Sequence, residues 1–144
     1  MRTYIGTKIV QAVLRKGYST GLDEYGMTKF QPDGYIIKYP DGYESWSPKK
    51  VFEEAYRPIN GLTFGLAIEA LKKGLKVARK GWNGNGIFIE LQVPDTHSKM
   101  TQPYIFIDTL GLQTNNPNAP KGRVPWLASQ TDMLAEDWRI IEEN

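Results

Sequence analysis

"ARKGWNGNGIFIELQVP", residues 78–94, is the stretch on which the reading of the chain turns. Arg79 and Lys80 run into Gly81 and Trp82. Asn83, Gly84, Asn85 and Gly86 follow, and then a strongly β-forming run. One Asn-Gly pair is enough for a hairpin turn, since positive φ is needed at only one or two positions. Here there are two pairs, with an indole beside them. The glycines fit neither the P-loop pattern nor the dinucleotide fingerprint. They nevertheless leave backbone N–H groups free to line a concave turn that can hold an anion. A plain turn is the competing reading, and the adjacent cations bring the two to about even weight.

Working outward, "LKVARK" reads as a short strand before the turn, and "IFIELQV" (87–93) and "YIFIDTL" (104–110) as strands after it. Upstream, Thr63 is a plausible N-cap. Phe64, Ala67, Ile68 and Leu71 keep helical spacing, and Gly74 suits the residue past the helix end. Downstream, "GLQTNNPNAPKGR" is a long polar loop, of the kind that is more often functional or mobile than neutral. "VPWLASQTDMLAEDW" holds a short helix capped by Ser129 or Thr131, and "WRIIE" closes as a strand.

The amino-terminal part reads separately. "TYIGTKIVQAV" (3–13) alternates like a strand, and the stretch 14–33 has no period and reads as loop. "GYIIKYPDGYESWS" is a hairpin about Pro40-Asp41-Gly42. Ser47 then Pro48 predicts a capped helix from Pro48 to Tyr56, with Val51, Phe52 and Ala55 on one face. Pro58 and Gly61 mark a boundary, giving modules 1–60 and 61–144. The expectation is an α+β chain of small antiparallel sheets and short helices. A module of about 60 residues is marginal alone, which favours an oligomer.

Composition narrows the chemistry. With no cysteine, disulfides, thiolate catalysis and Cys-ligated zinc are excluded. One histidine, His97, leaves only carboxylate sites for metals, and no EF-hand spacing occurs. We therefore expect no metal and no cofactor. His97 reads as an exposed loop residue, since no positioned partner for a general base is evident. Asp132 and Glu136, four apart on a short helix, read as a solvated face ahead of an acid pair. The net charge of +2 carries no basic stripe, so neither DNA nor RNA is expected as partner. A local site for a small anion needs no more than this. No run approaches the ~20 apolar residues of a membrane span, and no signal segment is evident, so an intracellular protein is expected.

The second stretch of interest surrounds Trp126. Ser129, Gln130, Thr131 and Asp132 open a helix there, and helix starts present unpaired N–H donors suited to phosphate or ribose oxygens. The alternative is that Trp126 and Leu127 belong to a core and Ser129 merely caps; on residue statistics alone it is the favoured one.

Taken together, "FGLAIEALKKGLKVARKGWNGNGIFIEL" and "VPWLASQTDMLAEDWRI" resemble a phage and prophage family associated with the second type of Thoeris anti-defence protein. The likeness covers about residues 62–141, with two separated motifs in the right order. The first 60 residues carry a weaker likeness to a segment fused ahead of this domain in other phage proteins. The resemblance implies a molecular sponge in the cytoplasm of the infected bacterial host. It would hold cyclic ADP-ribose isomers made by immune enzymes with TIR domains, without cleaving them. It further implies homo-oligomers, with a tetramer expected, and pockets shaped between protomers. In some homologues a separate site takes cyclic di- or trinucleotides.

The residue types suit such a ligand. Trp82 and Trp126 are candidate stacking platforms for adenine. Gly84, Gly86, Arg79 and the helix start at Ser129 or Thr131 offer donors to pyrophosphate, while Asn83, Gln130 and Asp132 can read ribose hydroxyls and base edges. No catalytic residue is assigned. Two alternatives are kept: a hydrolase of the same nucleotides using Asp132 or Glu136, and a protein-interaction adaptor using the aromatics of residues 1–60.

Overall fold

Turn chemistry organises residues 1–57, the first of two compact units. The computed structural model describes residues 1–143. Strands β1 (Gln11–Arg15), β2 (Tyr18–Leu22), β3 (Thr28–Gln31), β4 (Gly34–Lys38) and β5 (Glu44–Pro48) precede helix α1 (Lys49–Ala55). β4 and β5 form the expected hairpin. Gly42 adopts φ 88°, and the Asp41 carboxylate accepts the Tyr43 N–H at 3.0 Å, which closes the turn. β1 adds antiparallel to β4, giving the order β1-β4-β5.

Three expectations for this unit are corrected. Of the alternating stretch 3–13 only residues 11–13 pair, in a strand that runs on to Arg15; residues 3–10 have strand-like composition but no ladder. The stretch read as loop contains the β2–β3 hairpin. Its turn is held by the Asp23 carboxylate, which accepts the N–H groups of Tyr25 and Met27 at 2.9 and 2.8 Å. Ser47 does not cap a helix, because it lies in β5 opposite Tyr35; α1 begins after Pro48 without a side-chain cap. On α1 no residue is buried, but Phe52 stacks on Tyr35 and on Tyr56, with ring centroids 4.1 and 4.8 Å apart.

The second unit, from Pro58 on, is built on helix α2 (Phe64–Lys72). The Thr63 hydroxyl accepts the Leu66 N–H, Ala67, Ala70 and Leu71 recur at helical spacing and are buried, and Gly74 ends the turn at φ 81°. That φ belongs to the left-handed region, where a side chain is strained and glycine is not. α2 packs on a five-stranded antiparallel sheet in the order β10-β6-β7-β8-β9. Its strands are β6 (Val77–Arg79), β7 (Phe88–Gln92), β8 (Tyr104–Asp108), β9 (Arg123–Pro125) and β10 (Trp138–Ile140). β9 was not expected.

Strand alternation decides what faces the helix. Val77 pairs with Ile89, and Val77, Ile89 and Trp138 are fully buried in one cluster with Leu62, Ala67, Ala70 and Leu71. Each large side chain buried here contributes roughly 1.5–3 kcal/mol. Ala78 pairs with Arg139, so both lie on the opposite face of the sheet. Trp138 also stitches the unit's beginning to its end. Leu62 donates its N–H to the Trp138 carbonyl at 2.7 Å, and Trp138 donates back to the Leu62 carbonyl at 3.2 Å. The fold is α+β with several small antiparallel sheets and short helices. Among the described residues, no helix is long and apolar enough to cross a membrane.

Candidate functional site

Arg79 ends β6, opposite Trp138 on β10, and its side chain is mostly buried. A buried guanidinium needs acceptors for a rigid fork of donors. It finds two carboxylates. Nη1 donates to Asp132 Oδ1 at 2.9 Å, and Nε donates to Asp137 Oδ1 at 2.9 Å. Asp137 Oδ2 in turn accepts the Gly81 N–H at 2.7 Å, which fixes the entry to the glycine-rich turn. Nη2 has no hydrogen bond among the described residues. No buried side-chain polar atom among them lacks a partner, so this nitrogen is reached by solvent.

Asp132 is the hub. It lies in helix α3 (Gln130–Leu134), whose N-cap is Ser129. The Ser129 hydroxyl accepts the Asp132 N–H at 3.1 Å, while Asp132 Oδ2 accepts from the Ser129 N–H and hydroxyl at 3.0 and 2.7 Å. Oδ1 accepts from Arg79 and, at 3.2 Å, from the Trp82 indole N–H. All four acceptor positions of the carboxylate are therefore taken inside the protein. Burial pushes this carboxyl up, but the bonds from Ser129, Arg79 and Trp82 outweigh it and hold its pKa at about 2. The Arg79 guanidinium likewise lowers Asp137.

Around this hub stands an aromatic cluster. Trp82 meets Trp126 and Trp138 edge-on, at centroid distances of 6.1 and 5.4 Å, and Phe64 packs against both Trp126 and Trp138. The Trp138 indole donates to the Asp132 carbonyl at 2.9 Å. Arg79, Trp82, Trp126, Ser129 and Asp132 are thus brought together. Asn83 is exposed in the turn. Gln130 and Thr131 are exposed on α3, away from the hub's hydrogen bonds.

A cleft of about 410 Å³ opens beside this cluster. Arg79, Trp82, Gly84 and Asn85 line it on the side of the turn, and Asn60, Ala78, Lys80, Ile87 and Arg139 complete the wall. Its size lies within the range of small-molecule sites. Three of its lining side chains are cations, and none is an acid. Gly86 holds φ 84°, and a Cβ there would collide with the Gly111 carbonyl, so both the turn's path and its neighbour require glycine.

Sequence reasoning noted Lys80 beside the turn without giving it a contact, and missed Asp137, Asn85, Arg139 and Asn60. Asp137 and Arg139 flank Trp138, which is fully buried. The strand period puts Arg139 on the face opposite Trp138, a signal available in the sequence, whereas Asp137 precedes the strand. Among the described residues no group of His, Asp and Glu could hold a metal ion.

Comparison with known proteins converges on the same segment. A family model described as "Tad2-like: Thoeris anti-defense 2-like domain" matches residues 62–141. A protein of Bacillus phage SP01 named "Thoeris anti-defense 2" is 35% identical over 89 residues, which cover 56% of this chain and 94% of that protein.

Proposed function

Because the chain belongs to the Thoeris anti-defense 2-like family, we propose that it is a phage anti-defence protein that sequesters cyclic ADP-ribose-type immune signals without cleaving them. The observation that carries this reading is the cleft: three cations and an indole on its wall, and no acid. Trp82 offers a face for adenine, worth roughly 1–3 kcal/mol per stacked base. Arg79 Nη2, Lys80 and Arg139 suit the pyrophosphate, with the N–H groups of Gly84 and Gly86 as small donors. Asn83 and Asn85 suit ribose hydroxyls, and Gln130 and Thr131 stay in the proposal as exposed contacts on α3. Trp126 backs Trp82. Ser129 and Asp132 hold the platform, since their polar atoms are engaged with each other and with Arg79.

A ligand of about 35 heavy atoms at ~0.3 kcal/mol each reaches roughly 10 kcal/mol, sufficient for a sponge. The hydrolase reading draws no support from Asp132. A general acid at neutral pH needs a raised pKa, and this carboxyl is held at about 2 with every lone pair engaged. We further propose that the protein acts in the cytoplasm of the infected bacterium as a homo-oligomer, with a tetramer as the expected state. Cyclic di- or trinucleotides are proposed as a second ligand class.

The test is a release experiment. The protein is incubated with cyclic ADP-ribose isomers, freed of unbound nucleotide and heat-denatured. Intact nucleotide in the supernatant supports sequestration; a cleaved product establishes the hydrolase; no retained nucleotide leaves the adaptor reading. Light scattering that gives a monomer near 16.4 kDa would remove the oligomer.

A further inference from the structure

The connection between β8 and β9, residues 109–122, is far longer than an antiparallel hairpin needs, since such loops usually take 2–5 residues. Its base is closed. Thr109 and Gly122 exchange backbone and hydroxyl bonds between 2.9 and 3.1 Å, and Arg123 Nε meets the buried Asp108 carboxylate at 2.7 Å. Its first residues lie against the turn that lines the cleft. Gln113 donates its N–H to the Asn85 carbonyl at 3.0 Å. A Cβ on Gly84 would stand 2.7 Å from the Leu112 side chain, and the backbones of Gly86 and Gly111 touch with no room for a side chain. Gly84 and Asn85 are cleft residues, so Gly111–Gln113 forms the outer backing of the cleft wall.

Beyond that anchor, residues 114–121 carry exposed amides, a hydroxyl and a cation. Local bonds stiffen the segment: Asn116 N–H to the Thr114 hydroxyl at 3.1 Å, Asn118 N–H to the Asn116 side chain at 3.0 Å, and Ala119 N–H to the Asn116 carbonyl at 3.2 Å. Pro117 and Pro120 restrict the backbone further. The side chains of Gln113, Asn115 and Lys121 have no hydrogen bond among the described residues. A stiff, anchored loop with unspent donors and acceptors loses little conformational entropy on meeting a ligand.

We infer that this loop sets which nucleotide the cleft prefers. Gly111–Gln113 fixes the shape of the glycine turn, and Gln113, Asn115 and Lys121 read the part of the ligand that projects past Asn85. The inference rests on the nucleotide-binding reading above.

Its test uses the full chain, with two cyclic ADP-ribose isomers that differ in the position of the glycosidic bond and ADP-ribose as a third probe. Calorimetric titration gives the ratio of affinities. Replacing residues 114–121 by an equal length of Gly and Ser should change that ratio by about tenfold, the worth of one well-placed hydrogen bond. Gly86→Ala should weaken all three probes alike, because it displaces the shared wall. A melting curve on each variant separates misfolding from lost recognition, and N115A with K121A supplies a milder second variant. An unchanged ratio in a folded loop variant overturns the inference. An unaltered protein that binds none of the three overturns both this inference and the reading beneath it.

Discussion

The two units of the chain earn their order differently. From Pro58 on, Leu62, Ala67, Ala70, Leu71, Val77, Ile89 and Trp138 are buried together, and the polar hub sits on that cluster. In residues 1–57 the buried apolar side chain is Ile37, while Val13, Leu22, Tyr25 and Phe30 are 63%, 66%, 82% and 65% exposed. The first unit is held mainly by backbone ladders and local turns, and the second by side-chain packing. Ladders specify register but contribute little stability without an apolar face to bury, and a two-stranded hairpin such as β2–β3 is marginal in water. The contrast teaches that the chemistry of the cleft is carried on the unit able to hold it rigid.

Separating the units should produce the largest effect. Residues 58–144 alone should keep a cooperative thermal transition, and residues 1–57 alone should lose theirs by circular dichroism. A cooperative melt of the short fragment would break the comparison. Next, Asp132→Ala should cost about 2–3 kcal/mol in urea unfolding, because it removes one of the two carboxylates that hold Arg79 and leaves the Trp82 indole without its acceptor. Asp33→Ala in the first unit removes contacts that are largely exposed, to Lys16 and the Gly17 N–H, and should cost clearly less.

Acid gives a milder test of the same hub. The folded pKa of Asp132, about 2, lies below its ordinary 3.8, so its contribution is complete above about pH 4 and is lost as pH falls toward 2. The loss at this one group is on the order of 2 kcal/mol. In D132N the remaining pH dependence across that window should be visibly flatter; an equal slope would assign the acid sensitivity elsewhere. Trp82→Phe keeps an aromatic ring but drops the indole N–H, at about 1 kcal/mol of stability. Nucleotide affinity should fall less in this variant than in Trp82→Ala. The smallest effect is expected from His97→Ala and from EDTA: neither should move nucleotide affinity in a titration, since His97 sits in an exposed turn ordered through the Asp95 carboxylate.

Local signals were legible in the sequence where the structure's cause is local. Thr63 before an apolar helical face, Gly74 after it, and Asp41-Gly42 between two strands all act within a few residues. Ser129 capping α3 belongs to the same class. Readings failed where a partner far along the chain decides. Ser47 looks like a cap until β4 recruits it into a ladder. The strand-like pattern of residues 3–10 does not say whether a partner strand is within reach. Nor does the sequence show the acceptors that hold Arg79, which lie 53 and 58 positions away. What remained readable was that a cation and an indole share one turn. That part of the guanidinium stays open to solvent depended on counting its acceptors.

The reciprocal bonds between Leu62 and Trp138 have a consequence for the time course of synthesis. The second unit's buried cluster needs a side chain from near its end to fill the space against α2, and the Ile140 N–H also reaches back to the Ile59 carbonyl at 2.8 Å. No nascent chain shorter than about this point can close the cluster, so the half-made unit would emerge with its apolar faces uncovered. Contacts of such separation pay their loop-closure entropy before they return anything. The cleft, which shares Arg139 with that last strand, is therefore complete only once β10 has emerged and paired with β6.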